Sequence, residues 1–227
     1  MSGGATIAER WREVRERVDA ACRAAGRDPH EVTIVAVSKT HPASAVREAA
    51  AAGATDFGEN YAQELAAKRG ECGDVRWHYI GRLQRNKAKL VAGHVVLVHA
   101  VDSVDLAAEL GKRAAGVQAV LLAVNVAGEE TKGGVTAAAA PELARAIAAT
   151  ANVRLDGLMT MPPPGGDPRR YFDALRALRD RLAADLGALP VLSMGMSGDF
   201  EAAIACGSTH VRIGTAIFGE RPRVDPA

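Results

Sequence analysis

Short apolar runs alternate with helical stretches along the whole chain, and this alternation restricts the possible folds more than any other feature. The runs are rich in β-branched and other apolar residues, which is typical of strands buried on both faces of a parallel sheet. Eight runs are predicted as strands, at residues 32–37, 55–57, 76–80, 95–99, 119–125, 153–158, 190–192 and 210–213. The stretches between them are predicted as helices, at residues 43–52, 61–69, 84–91, 104–114, 141–149, 169–186 and 198–206.

The number of strands favours a closed barrel. Alternating strands and helices form either a (β/α)8 TIM barrel or a doubly wound open sheet, and eight strands fit the barrel. An extra N-terminal helix is predicted within residues 1–27, because Thr6 and Glu9 fit a capping box and apolar residues follow at helical spacing. We therefore expect an α/β protein with a single domain over residues 1–227, of which 221–227 form a frayed tail.

The composition argues against several kinds of partner. A formal net charge of +1 gives no electrostatic reason to expect nucleic acid, and no segment approaches the roughly 20 apolar residues that cross a membrane. Arginines interrupt the N-terminal segment, so it lacks the apolar core of a signal peptide. Cys22, Cys72 and Cys206 are far apart and odd in number, which favours reduced thiols and no metal site. We expect a cytoplasmic protein.

Lys39 is the first candidate for chemistry. It follows the predicted strand 32–37 directly, and Pro42 opens the next helix. The carboxyl ends of the strands form the ligand-binding edge of parallel α/β folds. A lysine among apolar neighbours has a lowered pKa and a neutral amine that can form a Schiff base with an aldehyde or ketone. The alternative is that Lys39 only ends a strand in solvent, as surface lysines often do.

Two further strand ends have the composition of a phosphate site. One strand leads into SMGMSGD at 193–199, and the last strand is followed by Gly214 and Thr215. Small residues and hydroxyls let backbone N–H groups approach an anion, and barrels often bind phosphate after the last two strands. Ser197 alone could instead be an ordinary helix cap. Together with a Schiff-base lysine, these loops indicate either pyridoxal 5′-phosphate (PLP) or a phosphosugar.

Five segments of the sequence form a recognisable set. They are AVSKT at 36–40, FGENY at 57–61, WHYIG at 77–81 with LQ at 83–84 and NK at 86–87, LSMGMS at 192–197, and VRIGTAIFG at 211–219. In this order they resemble the pyridoxal phosphate homeostasis proteins, single-domain relatives of the alanine racemase N-terminal barrel, and the resemblance covers essentially the whole chain. It implies a protein that holds PLP as a Schiff base and takes part in intracellular PLP (vitamin B6) homeostasis, without strong catalysis of its own.

The resemblance also implies the site residues. Lys39 would form the covalent PLP aldimine, with Asn60 beside the ring. Ser197, Gly214 and Thr215 would hold the phosphate.

The resemblance leaves two possible contacts for the Arg212 guanidinium, the pyridine nitrogen of PLP or its phosphate. A cation at the nitrogen would weaken the ring as an electron sink. That favours a carrier, whose partners would be PLP and apo PLP-dependent enzymes as recipients.

Two enzymatic alternatives remain open. A PLP-dependent amino-acid racemase needs a base on each face of the α-carbon. Lys39 provides one, but we expect the C-terminal domain that carries the second in alanine racemases to be missing. A Schiff-base aldolase acting on a phosphosugar fits the lysine and the barrel but not the five segments. No catalytic residue is therefore assigned. Because the C-terminal domain of the racemases is expected to be missing, we also expect a monomer.

Two more residues stay undecided. His78 lies on a predicted buried strand and is either a hydrogen-bonded core histidine or a support for the site. No neighbouring histidine gives it metal-ligand spacing. Lys132 lies in a glycine-rich segment and is expected to be mobile and exposed, and the alternative is a contact with a second PLP or a client protein.

Overall fold

The computed structural model describes residues 5–129 and 133–220. The strands are β1 (Thr33–Val37), β2 (Asp56–Glu59), β3 (Arg76–Tyr79), β4 (Leu97–Val101), β5 (Gln118–Asn125), β6 (Val135–Thr136), β7 (Val153–Met159), β8 (Val191–Ser193) and β9 (His210–Ile213). The helices are α1 (Ile7–Ala24), α2 (Ala43–Ala51), α3 (Ala62–Arg69), α4 (Val104–Arg113), α5 (Ala140–Ala148), α6 (Arg169–Leu186), α7 (Phe200–Ala205) and α8 (Thr215–Phe218). Short 3-10 helices cover Pro29–Glu31 and Arg85–Leu90.

Eight of the strands close into a parallel barrel. Their hydrogen-bonding order is β4, β3, β2, β1, β9, β8, β7 and β5, and a further pairing between β4 and β5 closes the ring. This closure confirms the TIM barrel and excludes the doubly wound open sheet. The remaining strand, β6, pairs with the end of β5 only. It has only two residues, which is too few to produce an apolar pattern that predicts a strand.

The predicted N-terminal helix is present as α1. Its capping box is formed, because Thr6 Oγ1 accepts the Glu9 N–H at 3.2 Å and Glu9 Oε2 accepts the Thr6 N–H at 2.7 Å. One face of α1 is buried, through Trp11, Val14, Val18 and Cys22. This face contacts α2, α7 and α8, so the helix ties the start of the barrel to its end.

Some local predictions need correction. The segment 84–91, predicted as a helix, forms a 3-10 helix, and Pro42 is the residue before α2 rather than part of its first turn. The predicted tail 221–227 and Lys132 lie outside the described residues. Cys22, Cys72 and Cys206 are free thiols, and burial raises the pKa of each. None of the described helices is long and apolar enough to cross a bilayer.

The interior of the barrel is divided into an apolar and a polar part. The large apolar core lies between the strands and the surrounding helices. Inside the ring, a smaller apolar cluster contains Leu97, Ala119, Leu121, Ala123 and Met159. Polar side chains of β2, β3, β4, β8 and β9 occupy the rest of the interior, namely Asp56, His78, His99, Ser193 and Arg212. This polar part leads to the cavity described next.

Candidate functional site

A cavity of about 420 Å³ lies at the carboxyl ends of the barrel strands. Its lining includes every residue that the sequence analysis predicted for the site: Lys39, Asn60, Ser197, Arg212, Gly214 and Thr215. It also includes several residues that were not predicted, among them Arg82, Asp102, Met159, Met161 and Met196. The fold therefore brings together side chains that are up to 176 residues apart in the sequence, counted from Lys39 to Thr215 (215 − 39).

Lys39 lies in a tight turn after β1. The turn is closed by a hydrogen bond from the His41 N–H to the Ser38 carbonyl at 3.1 Å. Lys39 itself is partly buried and lines the cavity. The alternative that it merely ends a strand in solvent is therefore wrong. Thr40, the next residue, has a φ of +67°, a left-handed conformation that is unusual for a β-branched residue.

Ser197 joins the two loops that were predicted to hold phosphate. Its Oγ accepts the N–H of Ala216, in the first turn of α8, at 3.4 Å. The helix cap of α7 is Asp199, whose Oδ1 accepts the Met196 N–H at 2.6 Å. Ser197 is therefore not the cap of α7, although it accepts a first-turn N–H of α8. It is also part of the cavity lining.

Arg212 brings a buried positive charge to the cavity. It is 4% exposed, and its guanidinium donates to Ser193 Oγ at 2.6 Å and to the Thr160 carbonyl at 2.9 Å. Burial lowers the pKa of Arg212 to about 10, so it remains a cation at neutral pH. Among residues 5–129 and 133–220, no carboxylate forms an ion pair with it. Because a buried charge is costly without a counter-charge, Arg212 indicates an anionic ligand.

Asn60 supplies an unused acceptor in the same lining. Its Oδ1 is buried and has no hydrogen-bond partner in the described part of the chain. Buried amide oxygens are nearly always hydrogen-bonded, so this atom indicates a donor on a ligand. The backbone carbonyl of Asn60 accepts a hydrogen bond from the Tyr79 hydroxyl at 2.9 Å. Burial raises the pKa of Tyr79 to about 12, which keeps this hydroxyl a donor.

Gly81 allows the segment after β3 to pass very close to Asn60. A Cβ at position 81 would lie 2.3 Å from the Asn60 carbonyl oxygen. We expect Gly81→Ala to lower the free energy of unfolding by about 3 kcal/mol, because both contacting groups are backbone and cannot move aside locally. Urea denaturation measures this. Gly116→Ala is the matched control, since a Cβ there meets no atom within 4 Å, and equal stability of the two variants would contradict the prediction.

A chain of hydrogen bonds runs from Arg212 through the barrel interior to β2. Ser193 Oγ contacts His99 Nδ1 at 2.8 Å, His99 Nε2 contacts His78 Nδ1 at 2.9 Å, and His78 Nε2 contacts Asp56 Oδ1 at 2.8 Å. All five side chains are buried. We call them the barrel relay. It extends from the cavity to the opposite end of the strands, where Asp56 begins β2.

The two ends of the relay and the proton on each imidazole together determine the direction of its hydrogen bonds. At one end, Arg212 can only donate hydrogen bonds. At the other end, burial would raise the pKa of Asp56, but hydrogen bonds from His78 and Thr55 outweigh burial and lower this pKa overall, so Asp56 is an acceptor. Burial, with the neighbouring histidines and Arg212, holds the pKa of His99 well below its usual value, so His99 is neutral. With one proton on each imidazole, Ser193 donates to His99, His99 donates to His78, and His78 donates to Asp56. In this arrangement every hydrogen bond points away from the cavity.

Only part of the barrel relay could be found in the sequence. His78 was left open between a core and a supporting role, and the structure shows a buried, hydrogen-bonded histidine that is connected to Arg212 through His99 and Ser193. His99 contacts no carboxylate directly in the described residues and reaches Asp56 only through His78. A signal did exist in β4, where His99 interrupts an apolar strand at an inward position. The partner strand and its register could not be derived from that local pattern.

The whole chain resembles known proteins. Residues 6–222 match the family described as alanine racemase, N-terminal domain. A protein of Pseudomonas aeruginosa named pyridoxal phosphate homeostasis protein is 48% identical over 228 residues, covering 98% of this chain and 99% of its own length.

Solved structures agree with this assignment. An unknown protein from Bifidobacterium adolescentis has a TM-score of 0.87 at 37% identity, over 93% of this chain and 94% of that one. PipY of Synechococcus elongatus, with PLP bound, has a TM-score of 0.79 at 35% identity, over 91% of this chain and 100% of that one. Alanine racemase from Corynebacterium glutamicum shares the fold, with a TM-score of 0.66 at 20% identity, over 94% of this chain and 62% of that one. The chain thus belongs to the alanine racemase N-terminal domain family and, within it, to the pyridoxal phosphate homeostasis proteins.

Proposed function

We propose that this protein binds PLP in the cavity through a Schiff base with Lys39 and takes part in PLP homeostasis. One observation carries the proposal. The Lys39 side chain, the Arg212 cation without a carboxylate partner in the described residues, and the unpartnered Asn60 oxygen all line one cavity. The names of the relatives and the PLP-bound PipY structure support the same cofactor.

The residues of the cavity fit the chemical groups of PLP. When bound, PLP supplies an aldehyde, which condenses with a primary amine and releases one water molecule, and it carries a phosphate dianion. Lys39 offers the amine, and Ser197, Gly214 and Thr215 belong to the two loops suited to the phosphate. Arg212 has only donors, which suit either the phosphate or the pyridine nitrogen.

A binding protein of this kind needs no turnover. By mass action, it lowers the free concentration of a reactive aldehyde and releases it when the concentration falls. The relatives' names favour this role over the racemase and aldolase alternatives. As recipients we propose apo PLP-dependent enzymes in the cytoplasm, served by a monomeric carrier. An adjoining cleft of about 890 Å³ shares Asn60, Gly81, Arg82 and Asp102 with the cavity and gives the ligand a route to solvent.

Borohydride trapping tests the proposal. The wild-type protein mixed with PLP and reduced should gain the mass of one reduced cofactor, which peptide mapping places on Lys39. Lys39→Ala should gain none at equal folding stability, because it lacks the amine. Lys112→Ala is the control, since Lys112 is exposed on α4 and its loss should leave the adduct unchanged. An unchanged wild-type mass, or an adduct that Lys39→Ala retains, would contradict the proposal.

A further inference from the structure

A buried ion-pair network lies directly beside the turn that carries Lys39. Lys68, on α3, is 6% exposed. Its Nζ donates to Glu59 Oε1 at 2.7 Å, to the Ser38 carbonyl at 2.8 Å and to Glu64 Oε2 at 3.1 Å. These three acceptors use all three N–H groups of the ammonium. We call Lys68, Glu59 and Glu64 the Lys68 cluster.

The Lys68 cluster holds the backbone on both sides of Lys39. The Ser38 carbonyl, which Lys68 binds, belongs to the peptide group before Lys39. The Thr40 N–H, in the peptide group after Lys39, donates to Glu64 Oε2 at 2.9 Å. The Ser38 hydroxyl adds a third tie by donating to Glu59 Oε1 at 2.7 Å. Both peptide neighbours of Lys39 are thus bonded to one cluster centred on a single cation.

The turn needs such support because its backbone is unfavourable. Thr40 has a φ of +67°, and a β-branched residue is strained in this conformation, so its surroundings must impose it. The hydrogen bond to Glu64 acts on the N–H of this same residue. Without it, Thr40 would relax toward negative φ and change the direction in which Lys39 leaves the backbone.

The electrostatics of the cluster point to the same role. Burial raises the pKa of Glu59 despite its hydrogen bonds from Lys68 and Ser38. Burial also disfavours the Glu64 carboxylate, but the Thr40 N–H and Lys68 outweigh this and lower its pKa. Glu59 Oε2 is buried with no hydrogen-bond partner in the described residues. Such buried pairs contribute little net stability compared with apolar residues, so the shape of the turn is the better explanation for this one.

We propose that Lys68 is a positioning residue that holds the turn around Lys39 in the shape required for its amine to react with the cofactor aldehyde. This inference rests on the proposed function of Lys39. It assigns to Lys68 no contact with the cofactor, since Lys68 acts only through Ser38, Glu59 and Glu64.

The first test compares Lys68→Met with Gln118→Met. Gln118, the first residue of β5, is also buried, and it hydrogen-bonds the backbone of Gly93 and Val95 at the end of the barrel opposite Lys39. Both variants should lose stability, but only Lys68→Met should slow borohydride-trapped PLP attachment, by about tenfold or more. In the protein without PLP, Lys68→Met should also speed hydrogen exchange of the Thr40 amide and change the rate at which formaldehyde and cyanoborohydride methylate Lys39. Equal attachment rates for the two variants would overturn the proposal.

A second pair of variants keeps the proposal testable if Lys68→Met does not fold. Glu64→Gln retains an oxygen that can accept the Thr40 N–H and should attach PLP nearly as fast as the wild type. Glu64→Leu removes that acceptor and should slow attachment about tenfold. Equal rates for these two variants would overturn the proposal. If the wild type itself attaches no PLP to Lys39, the proposed function fails, and Thr40 exchange then tests the positioning role alone.

Discussion

Replacing Asp56 with leucine is expected to lower the free energy of unfolding by about 4 kcal/mol. Asp56 is 4% exposed and accepts hydrogen bonds from His78 Nε2 and from Thr55 Oγ1, each at 2.8 Å. Leucine has a similar size but accepts no hydrogen bond. The His78 N–H would therefore remain buried and unpaired, and the barrel relay would lose the acceptor that fixes its direction.

Asp56→Asn separates the charge from the hydrogen bond. Its amide oxygen can still accept the His78 N–H, so the loss should be only about 1–2 kcal/mol. Urea denaturation of both variants measures the difference, and equal stability would contradict the assigned role of Asp56. Nitrogen-15 NMR of the wild-type imidazoles provides an independent check. Both His78 and His99 should carry their single proton on Nε2, and a proton on Nδ1 of either would reverse the direction of the relay.

Lowering the pH from about 7.5 to about 5.5 is expected to reduce the free energy of unfolding by about 3 kcal/mol. Burial and the nearby His78 lower the pKa of His210 to about 3, and burial holds the pKa of His99 well below its usual value. Both remain neutral in the folded protein but gain a proton near pH 6.5 when it unfolds. Below that pH the unfolded state binds more protons, so stability is complete above about 6.5 and is lost as the pH falls.

Urea denaturation at a series of pH values measures this dependence. His210→Gln should reduce the slope by about half, because it removes one of the two histidines that stay neutral in the folded protein. His30→Gln is the control, since His30 is exposed, and should leave the slope unchanged. A free energy of unfolding that is the same at both ends of this range would show that His99 and His210 are not held neutral.

The strand and helix pattern was predictable because its signals are local. Each buried strand is an apolar run, and the residues after a strand must lie at the ligand-binding edge of a parallel barrel. The position of Lys39 and of the two loops around Ser197 and Thr215 followed from that rule alone. Assigning Asn60 and Arg212 to the cavity required the family resemblance, since one asparagine and one strand arginine carry no distinctive pattern.

The supporting networks were not predictable because they depend on strand register and helix packing. In the barrel, β2 pairs with β3 so that Asp56 lies beside Arg76 and Gly58 beside His78. His78 and Asp56 are therefore not directly opposite each other, and the His78 ring contacts Asp56 diagonally across the two strands. The sequence of neither strand indicates this contact by itself. Lys68 likewise occupies an unremarkable helical segment, and only packing of α3 against the turn after β1 explains why a lysine is buried there.

The buried charge of Arg212, which forms no ion pair within residues 5–129 and 133–220, also connects the amount of this protein to its ligand. An anion that neutralises this cation binds the folded chain alone, because the unfolded chain has no cavity. Such a ligand stabilises the fold by about 2.7 kcal/mol at a hundred times its Kd. The fraction of molecules open to proteolysis falls by about the same factor of one hundred. The supply of PLP would in this way set the cellular lifetime, and hence the abundance, of the protein that binds it.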